Sequence, residues 1–428
     1  MRDRFELRNL HDCNTLLKIN IGIIIGNKMK PKQLFNQISD MEPLLPEKGT
    51  ELQDLALTLI RKSERLRSLL HPITRQAVAG LIRSMNSYYS NLIEGHRTTP
   101  LDMDAALAQD FSKNAGQRNL QLLHRAHLEV QELMAERLSS MAPGDICSAE
   151  FLCWLHQNFY ERLPAELRTV ESERGRLHHV IPGKLREGVA TVGQHVAPDS
   201  KKLNGFLGRF RDFYGPLVQT DPRSIVAAAA AHHRLVWIHP FVDGNGRVAR
   251  LFTDAWICKA GIESNGLWTL SRGFARGIGQ YKDALAAADA KRWNDLDGRG
   301  NLSDRALAEF CEYFLKTAID QVEFMQNLLS LDGMQARIVG FAQRQEDSKM
   351  LMRQAHRVLQ EIFLRGEIAR GEVPRLTGVS ARTGQKLTGE LLARRLVVSP
   401  SPKGALRLNF PAEAAEYYFP NLYPAVTS

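Results

Sequence analysis

Thirteen residues, Ile238–Arg250, carry the groups from which a phosphate-handling site can be built: IHPFVDGNGRVAR. His239 directly follows the helical run IVAAAAAHHRLVWI, which stops at Pro240. Its imidazole is therefore expected at a helix C-terminus, facing a loop. With an ordinary pKa near ~6.5 it can accept a proton at neutral pH. Asp243 is a hard oxygen ligand suited to Mg2+. Gly244, Asn245 and Gly246 stand where the next helix starts, so backbone N–H groups can converge on an anion without Cβ obstruction. Arg247 and Arg250 lie at i and i+3 on that first turn and can reach the same anion. Taken singly, each has a plainer reading: a His at a helix end is commonly structural, and Gly-Asn-Gly is a turn. The whole set in this order is much harder to obtain by accident.

Helices must position that stretch. Apolar residues recur at helical spacing in Glu51–Leu70, and a second helix is expected from Thr74 to Leu92, stopping at Glu94-Gly95. Further helices are expected at Asp102–Ala108, Gln117–Met141, Ser148–Arg162 and Leu203–Tyr214. Asp221-Pro222 reads as a cap followed by Pro in the first turn of the helix that leads to His239. A helix then runs to Gly261, and two more cover Trp268–Asp289 and Asp304–Met325. Residues 178–198 differ. Pro182-Gly183 marks a turn, and Val189, Thr191 and Val192 favour strand, so one small β-hairpin is expected inside an α-bundle.

The C-terminal part changes character. A helix at Ser348–Arg365 is followed by Ile368–Leu376, the turn 377–380 and Arg382–Arg395, which is helix-turn-helix spacing. Leu396–Val398 and Ala405–Phe410, joined by a Pro/Gly turn, read as a wing. The domain expectation is a lead-in at 1–45, a helical region at 46–145, a catalytic core at 146–330 and a winged helix with tail at 336–428. The aromatic tail 416–424 is expected to dock on the fold.

The chain's 428 residues, 44% hydrophobic and 24% charged, suit two to four soluble domains. Its net charge of +9 is uneven: residues 349–410 hold 12 Lys and Arg against 4 Asp and Glu, a net +8. That segment suggests a local anionic partner. The five cysteines (Cys13, Cys147, Cys153, Cys258, Cys311) form no CxxC pair or metal spacing, which fits a reducing, cytoplasmic setting without structural zinc. The apolar run Ile21–Ile25 falls far short of the ~20 residues a membrane span needs. The first 28 residues look unlike the rest, and Met29 or Met41 offers an alternative start.

HPFVDGNGRVAR resembles the signature of the Fic family, H-x-F-x-(D/E)-G-N-G-R-x-x-R, with every fixed position matched. PGKLREGVATVGQHVAP (182–198) is similar to the family's target-docking flap, and GQYKDAL (279–285) fits its helix with a Tyr near the nucleotide. The resemblance spans roughly residues 80–325. It implies a mainly α, Fic-type bundle with a hairpin flap, and transfer of AMP from ATP to a Ser, Thr or Tyr hydroxyl of a protein. His239 would deprotonate the hydroxyl and Asp243 would hold Mg2+. Asn245 with the Gly244 and Gly246 amides would cradle the α-phosphate. Arg247 and Arg250 would clamp the β- and γ-phosphates, with Tyr281 near the nucleotide. Phe241 would be a buried anchor. Val189, Ala190, Thr191 and Val192 would pair with an extended target segment.

Ser90-Asn-Leu-Ile-Glu94-Gly95 resembles the family's inhibitory motif, (S/T)-x-x-x-E-(G/N). A carboxylate held against Arg250 would neutralise it and occupy the γ-phosphate position. Whether Glu94 also helps remove AMP is not decided by sequence. Tyr88 and Tyr89 are candidates for automodification, with packing the plainer role. In the C-terminal module Arg382, Lys386, Arg394, Arg395, Lys403 and Arg407 are candidate DNA contacts, whose affinity would fall steeply with salt. Two competing readings stand beside AMP transfer: a DNA-binding transcriptional regulator whose core senses nucleotide, and the family's variant chemistry, a Doc-like kinase or transfer of another phosphate-containing group. The intact Gly-Asn-Gly and both Arg favour the ordinary ATP orientation over the kinase. The target and the oligomeric state, including a homodimer, stay open.

Overall fold

Capping chemistry sets the helix starts. Asp221 accepts from the Ser224 amide and Pro222 fills the first helical position; Ser148, Asn114, Ser303 and Ser380 cap in the same way. Thr99 and Asp102 form a reciprocal capping box. The structure, a computed structural model, describes residues 35–47, 50–171, 177–264 and 266–423. The Ile21–Ile25 run and Met29 lie outside the described residues.

The N-terminal helices are α1 (Thr50–Arg67), α2 (Pro72–Ile93), α3 (Pro100–Leu107), α4 (Ala115–Ser140) and α5 (Ala149–Glu161). Then come α6 (Leu203–Tyr214), α7 (Pro222–Ile238), α8 (Asn245–Lys259), α9 (Leu270–Arg276), α10 (Ile278–Ala287) and α11 (Asp304–Leu328). Helix α7 is the axis of the bundle. Ala227 to Ala231 are all buried, and their small side chains let α1, α6, α8 and α11 pack closely around it. Helix α2 is clasped between α4 and α9, and its buried polar residues are tied into the core. Asn86 donates to Gln131 and Asp254, and Ser87 donates to the His124 carbonyl.

The bundle holds two hairpins among the described residues where one was expected. Strand β1 (Thr169–Glu171) pairs with β2 (Leu177–His179), and β3 (Thr191–Val192) with β4 (His195–Val196). Three residues are too few for β1 to show an alternation in sequence. The expected helix over Trp268–Asp289 is two helices, divided at Gly277. The described part of the lead-in, 35–47, is packed rather than irregular. Met41 and Leu44 are buried, Tyr214 donates to the Leu44 carbonyl (2.5 Å), and Arg234 donates to the Pro43 carbonyl (2.8 Å).

The C-terminal module begins earlier than its charge suggested, with α12 (Leu331–Asp347) packed on α13 (Ala355–Arg365). Residues 348–354, placed in a helix by the sequence reading, are a turn with Lys349 and Gln354 at positive φ. Strand β5 (Glu367–Ile368) precedes α14 (Val373–Thr377) and α15 (Ala381–Ala393), which are joined by a short turn through Gly378. Strands β6 (Val397–Val398) and β7 (Leu406–Leu408) complete an antiparallel sheet of order β5-β7-β6. Helix α16 (Ala412–Tyr418) packs on α12 and leads into the tail. Phe419 and Leu422 are buried there, and the Leu422 carbonyl accepts from Tyr89 of α2 (2.8 Å). Tyr423 meets Tyr88 edge-on at 5.4 Å, and Arg272 donates to the Asn421 carbonyl.

Candidate active site

Helix α7 ends at His239, whose backbone is left-handed (φ 49°, ψ 61°). For a non-glycine residue that conformation costs about 1–2 kcal/mol, so it must be held from outside. The loop that follows is braced internally. The Asn245 side chain accepts from the Phe241 amide and donates to the Phe241 carbonyl, both at 2.9 Å. Phe241 is fully buried and stacks on His156 at 4.1 Å. Gly244 sits at φ 78°, and a Cβ there would come within 2.7 Å of the Tyr160 ring. Backbone conformation and space thus both require glycine. No side chain caps α8, which leaves its first-turn amides available to an anion.

Two residues of α5, one helical turn apart, shape this loop from below. Tyr160 donates to Asp243 Oδ2 at 2.6 Å. His156 lies 3.2 Å from the Asp243 carbonyl through Nε2 and accepts from the Gly183 amide through Nδ1 (2.9 Å). It therefore links the motif loop to the base of the flap. Among the described residues no three His, Cys, Asp or Glu cluster as a metal cage. A single carboxylate fits Mg2+, which keeps several waters and takes one or two protein carboxylates beside substrate phosphates.

The other wall is the end of α2. Gly95 at φ 88° closes a Schellman turn in which the His96 amide reaches the Asn91 carbonyl and the Gly95 amide reaches the Leu92 carbonyl. That turn fixes Glu94, whose Oε1 lies 2.6 Å from Arg250 Nη2. Arg250 also donates to the Ser90 hydroxyl (2.9 Å) and carbonyl (3.1 Å). The same Glu94 oxygen lies 2.5 Å from where a Cβ on Gly246 would be, so the carboxylate rests against the head of α8. Burial by itself would raise the Glu94 pKa. The positive charge of Arg250 and then Arg247 outweighs it and holds the carboxyl down at about 2. Arg247 is buried, lies over the Phe159 ring at 5.2 Å and donates to Asn91 Oδ1 at 3.3 Å. Its Nη2 and the Asn91 Nδ2 are buried donors without an acceptor among the described residues, as expected beside an anion site. His239 is 9% exposed. Burial, then the charge of Arg186, pulls its pKa down to about 3, so the ring is neutral at physiological pH.

Residues 146–257 match the Fic/DOC family. Over 183 residues the chain is 30% identical to the protein adenylyltransferase Fic of Nematostella vectensis, covering 41% of this chain and 37% of that protein. The protein adenylyltransferase Fic of Drosophila willistoni is 33% identical over 112 residues, 25% of this chain and 22% of that protein. The chain thus spans well under half the length of these curated relatives. A Fic family protein of known crystal structure from Desulfovibrio desulfuricans overlaps 85% of this chain and 98% of its own, at 18% identity and a TM-score of 0.48.

Around the matched segment, Ser90 and Glu94, at the Gly95 end of α2, lie against Arg250 and Gly246 of α8, with Arg247 on the same first turn and His239, Asp243 and Gly244 in the loop that leads into it. Four expectations change. The Asn245 side chain braces the loop through the Phe241 backbone, which takes its Oδ1 and one of its two amide N–H donors. Tyr281 is 2% exposed, stacks on Phe274 at 4.3 Å and meets His232 Nε2 at 2.8 Å, so it stands behind Arg250 and offers no face to a base. Of the flap residues only Thr191 and Val192 are strand; Ala190 extends the pairing by accepting from the Ala197 amide (2.9 Å), and Val189 lies beyond it. Arg394 is held within the fold by Met350, Gln345 and Glu413, and Arg407 pairs with Glu367, so neither side chain is free for DNA; Arg382, Lys386, Arg395 and Lys403 are exposed. Tyr88 and Tyr89 are both buried, which fits packing. Sequence reasoning missed His156, Tyr160, Asn91 and Arg186. The first two lie four apart on one helix face just before the flap, a pairing that was visible.

Proposed function

We propose that this chain transfers AMP from ATP to a hydroxyl of a protein target, and that Glu94 restrains the transfer. The observation that carries the reading is the placement of Glu94. A carboxylate of the chain's own occupies the head of α8 and pairs with Arg250, where an anionic ligand would otherwise sit. In the active state the α8 N-terminus, Arg247 and Arg250 would hold the triphosphate, and Asp243, oriented by Tyr160, would hold Mg2+. The bound ion would neutralise phosphate charge and help pyrophosphate leave. Neutral His239 accepts the target hydroxyl's proton as its oxygen bonds to the α-phosphorus and the bond to pyrophosphate breaks. The β3–β4 hairpin carries no further strand among the described residues, and exposed Val192 on β3 is where an extended target segment would begin to pair. Self-modification, if it occurs, falls elsewhere than the buried Tyr88 and Tyr89.

A cytoplasmic setting fits Cys147, Cys153, Cys258 and Cys311, all free thiols, and no described helix is long and apolar enough to cross a membrane. A second reading, DNA binding by a winged helix, is favoured by the α14-turn-α15 arrangement with exposed Arg382 and Lys386 on α15 and Lys403 between β6 and β7. One experiment separates the readings. The Glu94→Gly protein is incubated with α-labelled or γ-labelled ATP, Mg2+ and cell lysate. Label on protein from the α position alone means AMP transfer. Label from the γ position alone means a kinase. No label from either, with salt-sensitive DNA binding, means a nucleotide-sensing regulator.

A further inference from the structure

Arg186 lies in the run between the first hairpin and β3, outside the signature and, among the described residues, without a carboxylate in hydrogen-bond reach. It is 5% exposed. Its guanidinium donates only to carbonyl oxygens, and these come from three places. Nε reaches the His239 carbonyl at 2.7 Å and Nη2 reaches Ile238 at 3.4 Å, the last carbonyls of α7. Nη1 reaches Gly188, at the near root of the flap. Nη2 also reaches Pro198 at 2.6 Å, on the far root. The Arg186 amide adds a bond to the Pro240 carbonyl at 2.9 Å.

We infer that Arg186 is a positioning residue that fixes the base and the target-docking flap to each other as one unit. The inference rests on AMP transfer with His239 as base. It makes the flap and His239 a single part: whatever places the flap also places the imidazole.

The chemistry explains why an arginine is needed. Carbonyls left without partners at a helix C-terminus attract a cation, and the planar fork serves several at once. The bond to His239 holds that residue in its left-handed conformation. The Gly188 and Pro198 bonds close the hairpin at its roots, so a target laid on β3 meets His239 at a fixed distance. Misplacing a reacting group by about 1 Å can cost on the order of 100-fold in rate. The charge also acts on the ring. Charged and titratable groups facing His239 are Arg186 and His195 from the flap side and Glu94 from α2. Burial does most to keep the imidazole neutral, and Arg186 adds to it.

The test uses the full chain in the Glu94→Gly background, with its His239→Ala derivative as control. Steady-state rates with ATP and with a modified target are measured for Arg186→Gln and Arg186→Lys. For Arg186→Gln we expect kcat to fall tenfold or more, KM for the target to rise, and KM for ATP to stay within about twofold, because the anion cradle is untouched. The acid limb of its kcat profile moves to higher pH, since removing the cation raises the His239 pKa. Arg186→Lys keeps the charge and loses the fork; its acid limb returns toward the parent value while its target KM stays high. A folded Arg186→Gln protein with the parent's kcat, target KM and pH profile overturns the inference. So does equal loss of ATP and target binding in both variants, which would mean general collapse. An inactive parent would instead remove the AMP-transfer reading itself.

Discussion

Replacing Glu94 by Gly tests the restraint most directly. In the folded chain the carboxyl is held at about 2 against an ordinary value of 4.5. At 1.36 kcal/mol per unit, the difference amounts to about 3 kcal/mol of preference for the ionised group in its place. That side chain is 27% exposed, so the figure is an upper bound for what ATP must displace. About 3 kcal/mol corresponds to roughly 100-fold in an equilibrium constant. Arg250 keeps its two contacts to Ser90 in the variant and stays oriented for a γ-phosphate. Transfer of label from α-labelled ATP should therefore rise by about 10- to 100-fold. Glu94→Gln should give an intermediate rise, because its amide oxygen can still accept from Arg250 without opposing the phosphate charge. The assay compares initial rates at ATP well below saturation, with a His239→Ala copy of each protein as blank. Rates for wild type and Glu94→Gly within twofold of each other, both well above blank, would refute the argument.

Gly246→Ala should abolish most activity even in the Glu94→Gly background, because a Cβ there lies 3.1 Å from Arg250 Nη1 and enters the anion site; ATP binding by calorimetry reads the loss. Tyr160→Phe removes the donor to Asp243 and should raise the Mg2+ concentration needed for half-maximal activity by about tenfold, the scale of a hydrogen bond to a charged group (about 1.5–3 kcal/mol). Because the folded pKa of Glu94 is depressed, its stabilisation is complete above the ordinary value of 4.5 and is lost as pH falls through about 2. Urea denaturation should accordingly show wild type more stable than Glu94→Gln by a constant margin from pH 6 to 8, shrinking below about pH 4.5. Truncation after Tyr418 removes the Leu422 acceptor and the Tyr423 ring from α2; it should raise basal label transfer several-fold and lower the thermal midpoint.

The parts of the site that were legible in the sequence are those whose chemistry is local. His239, Gly244 and Arg250 stand within one turn-and-helix unit, so composition and spacing alone carried them. Ser90 and Glu94 were legible as a helix face ending at Gly95, although nothing in the sequence showed that the carboxylate would touch the Gly246 position as well as Arg250. The bracing role of Asn245 was not legible, because its side chain satisfies two backbone groups of Phe241 and sequence does not distinguish a loop brace from a ligand contact. Tyr281 was misjudged because its burial depends on Phe274 and His232, which come from two other helices. The break at Gly277 was hidden by continuous helical periodicity on both sides of it. Two- and three-residue strands such as β1 and β3 are below the length at which alternation can be read.

The seat of Tyr89 on the Leu422 carbonyl joins residues 333 apart in sequence. Thermodynamic reciprocity gives that contact a consequence. The tail that supports α2 is continuous through α16 with the C-terminal module, and α2 carries the group that competes with ATP for Arg250. Where release of the tail also shifts Glu94 against Arg250, a ligand of the module that discriminates seated from released tail changes the affinity for ATP, and ATP changes the affinity for that ligand by the same factor. Titrating one in the presence of the other would give a single coupling constant for the whole chain, readable from either end.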